Sequence, residues 1–378
     1  MAQYYVDGTI TSASGTGSGT LADPWGKTDD LLQFALDQIL AGAGKGASGD
    51  WINIIAGDLT NTSSTDFSVY LPSAGAAFYL VGYNGHQPTF DLGGFPLLQA
   101  SGGRDGIFLH NIRFTNFSTT TVSLRFRYHG SVSFCVFDAE DNPAHAILRV
   151  DGSYNIFGCQ WINFTNSTVN NGTWLFQTGS SGANWMKGCY FEKASSYQMI
   201  YVYNTVVEDC VFRYSGTATM YYMVLPIRQV RLSNCTFYAT PTAGSAFAVF
   251  FSTYQNNSMV NCYFENLAEP IYNSQNSVND NISTMLAGNR AYNSANLYPG
   301  QDYIPGKTLI YKDNDWDVSE SLLVDPENGD YRPKEGLIGA GFNLQDYGFP
   351  SSIKKAKPTI GGINAFETVA KPAKRVRG

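Results

Sequence analysis

The sequence predicts an all-β chain, a single right-handed parallel β-helix of about ten coils with a helix near its start and an irregular cap at its C-terminal end. Three observations carry that expectation. The first is composition. Only 15% of the 378 residues are charged while 14% are aromatic, and Asn, Ser, Thr and Gly are abundant, the usage of short strands joined by tight turns. The second is a repeat. Cys135-Val-Phe137, Cys159-Gln-Trp161, Cys189-Tyr-Phe191, Cys210-Val-Phe212, Cys235-Thr-Phe237 and Cys262-Tyr-Phe264 use every cysteine in the chain, and Ile112-Arg-Phe114 is a seventh copy with Ile in the Cys slot. Successive copies are 23, 24, 30, 21, 25 and 27 residues apart, the period of a solenoid with variable insertions. The third is alternation. Residues two apart on a strand share a face, so Cys and the aromatic point one way and the residue between them the other.

Stacked coils lie about 4.8 Å apart, so equivalent inward residues form ladders through the interior. A free thiol is a small hydrophobe that suits such a slot beside a bulky ring. A disulfide framework and a metal site compete with that assignment. A chain made in the cytoplasm disfavours the first. The absence of paired Cys-x-x-Cys or interleaved His disfavours the second. The cysteines are therefore expected to be structural.

The other segments follow. Residues Asp29 to Leu40 read as an amphipathic helix, with Thr28 or Asp29 as cap and Leu32, Ala35, Leu36 and Ile39 on one face. With the opening strand and the loop GAGKGASGD, this makes an N-terminal segment of residues 1–50, the helix shielding the first coil's open edge. Coils are expected over 51–296, beginning with the strand Trp51–Ile55. A cap segment follows over 297–367, and the last residues, 368–378, form a basic tail.

With both ends in view, the chain resembles the pectate-lyase-like right-handed parallel β-helix superfamily, and within it a phage virion or tailspike-like member. YYVDGTITSASGTGSGTLADPWGKTDDLLQFAL is similar to that superfamily's opening, and VDPENGDYRPKEGLIGAG and GGINAFE to its closing segments. Gly362 and Asn364 stand where Asp and Gly are common. The resemblance implies the fold. It leaves function open among lyases, glycosidases, esterases, adhesins and virion surface proteins.

A lyase of this kind implies an acidic cluster holding Ca²⁺ and a Lys or Arg base. Calcium needs several oxygen ligands, and Asp138-Ala-Glu140-Asp141 is the best local candidate. Asp138, Glu192, Arg213 and Glu265 all follow the repeat aromatic and are expected on one outward line, which could also bring together the two carboxylates of a glycosidase. Against this, Glu192 and Arg213 read as an exposed ion pair of small worth. Gly44-Lys-Gly-Ala-Ser-Gly49 follows a helix instead of a strand, so it is a loop and not a dinucleotide fingerprint. Lys45 lacks the following Ser or Thr of a phosphate-binding loop. His86, His110, His129 and His145 stand singly. The sequons at Asn163 and Asn234 follow from composition. Tyr190 and Tyr263 in the outward slot, with Tyr201, Tyr203, Tyr221 and Tyr222, read either as sugar-stacking or interface surface or as ordinary sheet decoration. No catalytic residue is assigned, and no cofactor or metal is expected.

The N-terminus MAQYYVDGTI lacks a basic, an apolar and a small-residue cleavage region. No apolar run approaches membrane-spanning length. The net charge of −7 disfavours nucleic acid as a partner. The functional expectation is a non-catalytic bacteriophage virion surface protein: a capsid decoration, spike or fibre-like component. It would be a homotrimer assembled in the host cytoplasm with other capsid or tail proteins, with host surface polysaccharide as its ligand and with no membrane or nucleic-acid partner. A polysaccharide lyase or glycoside hydrolase and a carbohydrate-binding adhesin remain the alternatives.

Overall fold

Just before each of the seven repeat phrases the backbone enters the left-handed region, as at Asn234 (φ 53°) and Asn261 (φ 55°). Asn tolerates that conformation better than other side-chain-bearing residues. The phrase "Asn-Cys-x-Phe" is thus a tight turn followed by a strand whose alternate residues face inward. A computed structural model describes residues 2–43, 50–67, 77–98, 106–140, 146–164, 174–195, 198–251, 257–273, 284–294, 309–312 and 314–334. It shows a single parallel β-solenoid, mostly strand with few helical residues. Among the described residues nine turns carry a strand for each of three sheets, slightly fewer than the coil count expected from the repeat length.

The chain forms two compact units, Met1–Asn184 with Lys193–Tyr201, and Trp185–Glu192 with Val202–Gly378. In the first, one turn runs through Ile107–His110 in the first sheet, Arg113–Thr115 in the second and Val122–Phe126 in the third. The next turn repeats it through His129–Ser133, Val136–Asp138 and Ala146–Val150. Strands pair in parallel with unbroken register, so Phe108 lies beside Ser131, Phe114 beside Phe137, and Leu124 beside Leu148. The helix Leu31–Ala43 buries Leu32, Ala35, Leu36 and Ile39, the face its spacing indicated. Its first turn lies two residues later than the sequence suggested, because Asp30 (φ 51°) is left-handed.

The second unit repeats the scheme, for example through Thr205–Glu208, Val211–Tyr214 and Val224–Arg228. The last described strands differ: among the described residues Leu323–Asp325 and Asp330–Pro333 pair only with each other, antiparallel. Leu323 and Tyr331 of this hairpin pack with Val211, Tyr238 and Tyr263 in one buried cluster on the outer side of the second sheet.

All six cysteines are free and fully buried, and Ile112 fills the seventh slot equally dry. Burial pushes the Cys210 and Cys262 thiols well above their ordinary value, which keeps them protonated. Beside them run aromatic columns. In the first unit Phe114, Phe137 and Trp161 stack at 5.6 and 4.7 Å; in the second, Phe191, Phe212, Phe237 and Phe264 stack at 4.9–5.0 Å.

Candidate functional site

Position after the repeat aromatic does point outward, yet the acidic residues there are not open to a ligand. Asp138 is wholly buried. Its carboxylate takes a short ion pair from Arg113 one turn below, accepts from Asn163 Nδ2 at 2.7 Å one turn above, and accepts from the Glu140 amide at 2.9 Å. Both carboxylate oxygens are engaged, so Asp138 holds adjacent turns together. Asp141 lies outside the described residues. Asp138→Ala is expected to cost about 1–3 kcal/mol, because two donors lose their acceptor while Arg113, more than a third exposed, can rehydrate. A urea midpoint shift without a change in ligand binding is the expected result.

In the second unit Glu192 pairs with Arg213, whose side chains are 24% and 19% exposed, and Glu192 also accepts from the Tyr190 hydroxyl at 3.2 Å. Glu265 accepts from Tyr263 at 2.8 Å and from Ser321 at 2.7 Å. Burial raises its carboxyl above the usual range. The exposed pair expected at Glu192 and Arg213 is therefore half-covered. Tyr190 and Tyr263, read as outward sheet residues, lie under the C-terminal hairpin, where the Tyr331 ring sits 6.0 Å from Tyr190. No repeat signal could have announced that cover, since Ser321, just before the hairpin, stands 56 residues beyond Glu265.

The described histidines serve separate contacts. His86 Nε2 lies 2.9 Å from the Gly57 carbonyl, His110 Nδ1 lies 2.9 Å from Ser133 Oγ, and His129 is exposed. His145, Lys45 and the Gly44–Gly49 segment are outside the described residues. Tyr221 is exposed; Tyr201, Tyr203 and Tyr222 are half-buried. Among the described residues no three His, Cys, Asp or Glu side chains gather to hold a metal ion.

The arrangement with open chemistry lies on the outer face of the third sheet in the first unit. Strand register sets Leu98, Arg125, Arg149, Gln177 and Tyr201 on one outward line. Asp151 sits between the two guanidiniums, accepting from Arg125 Nε at 3.1 Å and Arg149 Nε at 2.8 Å. One carboxylate against two cations leaves a local charge of +1. Both arginines are about one-third exposed, at 36% and 33%. Trp174 lies against Tyr201, with centroids 4.6 Å apart, and both rings are half-exposed. A planar guanidinium held by a carboxylate on one edge still offers N–H donors on the other, a geometry suited to carboxylates. The signal was in the sequence: Leu124-Arg-Phe126 and Leu148-Arg-Val150 are one phrase 24 residues apart, the same step as Cys135 to Cys159.

No family model matches the chain and no curated protein matches it. Among solved structures it is similar to the crystal structure of pectate lyase Pel9A. That match has a TM-score of 0.48 and 14% identity, over 95% of each chain. No helix among the described residues is long and apolar enough to cross a membrane.

Proposed function

We propose that the protein is a non-catalytic surface protein of a bacteriophage virion, a decoration, spike or fibre-like component. In this reading it holds acidic host-surface polysaccharide against the Arg125–Arg149 line without cleaving it. The observation that carries the reading is the engagement of the acidic side chains. Asp138, Asp151, Glu192 and Glu265, which a lyase or glycosidase would draw on, are each tied to Arg, Asn, Tyr or Ser partners of the scaffold. A carboxylate locked in that way can order a surface but is poorly placed to exchange protons or ligate calcium. Six buried free thiols fit folding inside a reducing cell, where virions assemble. The reading also has the chain forming a homotrimer beside other capsid or tail proteins.

Two experiments test it. Mass spectrometry of purified particles is expected to find the chain; its absence would remove the virion role. Polygalacturonate and hyaluronate, with and without Ca²⁺, are expected to bind without yielding unsaturated products or new reducing ends. Arg149→Ala should weaken that binding about fivefold to tenfold, the worth of a partly exposed charge-assisted contact. Calcium-dependent product formation would instead establish a lyase, and hydrolytic ends a glycosidase. Binding by a chain found on cell surfaces would favour an adhesin.

A further inference from the structure

In six of the seven turns that precede the repeat phrases, the left-handed residue is Asn, Asp or Gly; in the seventh it is Phe134, at φ 54°. A bulky side chain is strained there, and strain that persists marks a position held for another reason. Phe134 gains little burial in return, being 48% exposed. Six residues earlier Tyr128 repeats the anomaly, at φ 72° and 36% exposed. The two rings flank the strand His129–Ser133, with Cα atoms roughly 20 Å apart at strand rise.

Between them the sheet's outer face is polar, with no Lys, Arg, Asp or Glu on the strand, and His129 stands exposed beside Tyr128. Gly130 and Val132 point inward, Ser131 and Ser133 outward. Register adds Asn155 beside Ser131 and Phe157 beside Ser133 on the next turn. On the preceding turn, Phe108 ends an outward stack with Tyr79 and Trp51 (centroids 4.5 and 4.3 Å), and its neighbour on the open side is Ser131. The Phe134 ring is seated over Gly158, where an added Cβ would come within 2.8 Å of it, and the His110 ring meets it edge-on at 5.6 Å. Partial burial lowers the His110 imidazole below its ordinary value, which favours its neutral form.

We propose that this face, from Tyr128 to Phe134 across Ser131 and Asn155, binds an uncharged glycan chain. Flat exposed rings match the C–H faces of sugar rings. The hydroxyl and amide floor offers donors and acceptors to sugar hydroxyls. Ser131, Ser133 and Asn155 supply no lysine or arginine to hold an acidic polymer, so the floor favours neutral ones. The site is separate from the Arg125–Arg149 line and does not depend on it.

The test uses the full chain against soluble β-glucan, mannan and galactan, by calorimetry and affinity electrophoresis. At least one is expected to bind, and Tyr128→Asn and Phe134→Asn should each weaken it about tenfold or more. Because Asn is at ease in the left-handed region, both variants should melt no lower than the parent, which separates lost binding from lost folding. Polygalacturonate binding, read in parallel, should be unchanged in both variants, so failure at the arginine line and failure here are told apart. The proposal is overturned if no neutral polymer binds, or if the double variant binds as well as the parent. It is equally overturned if the variants alter only the protein's own sedimentation, which would make the face an interface between copies.

Discussion

Phe237→Ala is expected to destabilise the protein by about 3–5 kcal/mol, one of the two largest effects of any single change described. Phe237 is fully buried and stacks at 4.9 Å on Phe212 and at 5.0 Å on Phe264, with interplanar angles of 7° and 5°. Removing the middle ring takes both neighbours' contacts at once, and the backbone ladders on either side prevent collapse into the void. Phe237→Leu keeps most of the volume and should cost about 1–2 kcal/mol. Each turn contacts mainly its neighbours, so the loss should appear first as amide exchange at Phe212 and Phe264 and spread outward. Urea denaturation checks the magnitude. A cost below about 1 kcal/mol for the alanine variant would mean that the column does not bear on stability.

The column was legible because its cause is local. A left-handed Asn, a small inward residue and a ring two positions later fit one strand turn, and the same constraint recurs on every coil. The Cys235–Phe237 pair could therefore be placed inside without any knowledge of what surrounds it. Asp138 was harder. Its position was read as outward, and the register bears that out. Its burial, however, depends on Arg113 and Asn163, one turn down and one turn up, both diagonal to it. Tyr263 and Glu265 were beyond reach, because the hairpin that covers them follows no period linking it to their strand. The arginine line falls between these cases. Its Leu-Arg phrase keeps the repeat's own step, but two copies are too few to stand out unless the cysteine period is applied to the rest of the turn.

Alternation also puts a lysine where none is comfortable. Lys193 stands two residues after Phe191, on the inward face, in a slot that Tyr214 and Ala239 occupy in later copies of the phrase. It is 1% exposed, and its ammonium donates to the Gln198 carbonyl at 2.9 Å. Burial depresses its amine from 10.5 to about 7. The sign of the effect on folding follows. Below pH 7 the amine is protonated in both states, and folding bears the full cost of burying a cation. Between about 7 and 10.5 the unfolded chain binds a proton that the folded one has released, so stability rises with pH across that window. Above 10.5 the cost is gone. Lys193→Met keeps the length and removes the charge. At pH 6 it should stabilise the fold by on the order of 3–5 kcal/mol, less about 1 kcal/mol for the Gln198 carbonyl left without this donor. Near pH 10 the gain should nearly vanish. Urea midpoints of parent and variant at pH 6, 8 and 10 decide it. A difference that stays constant across the three would show that the amine is not desolvated in the folded chain, and a loss of stability at pH 6 would show that its hydrogen bonds outweigh its charge.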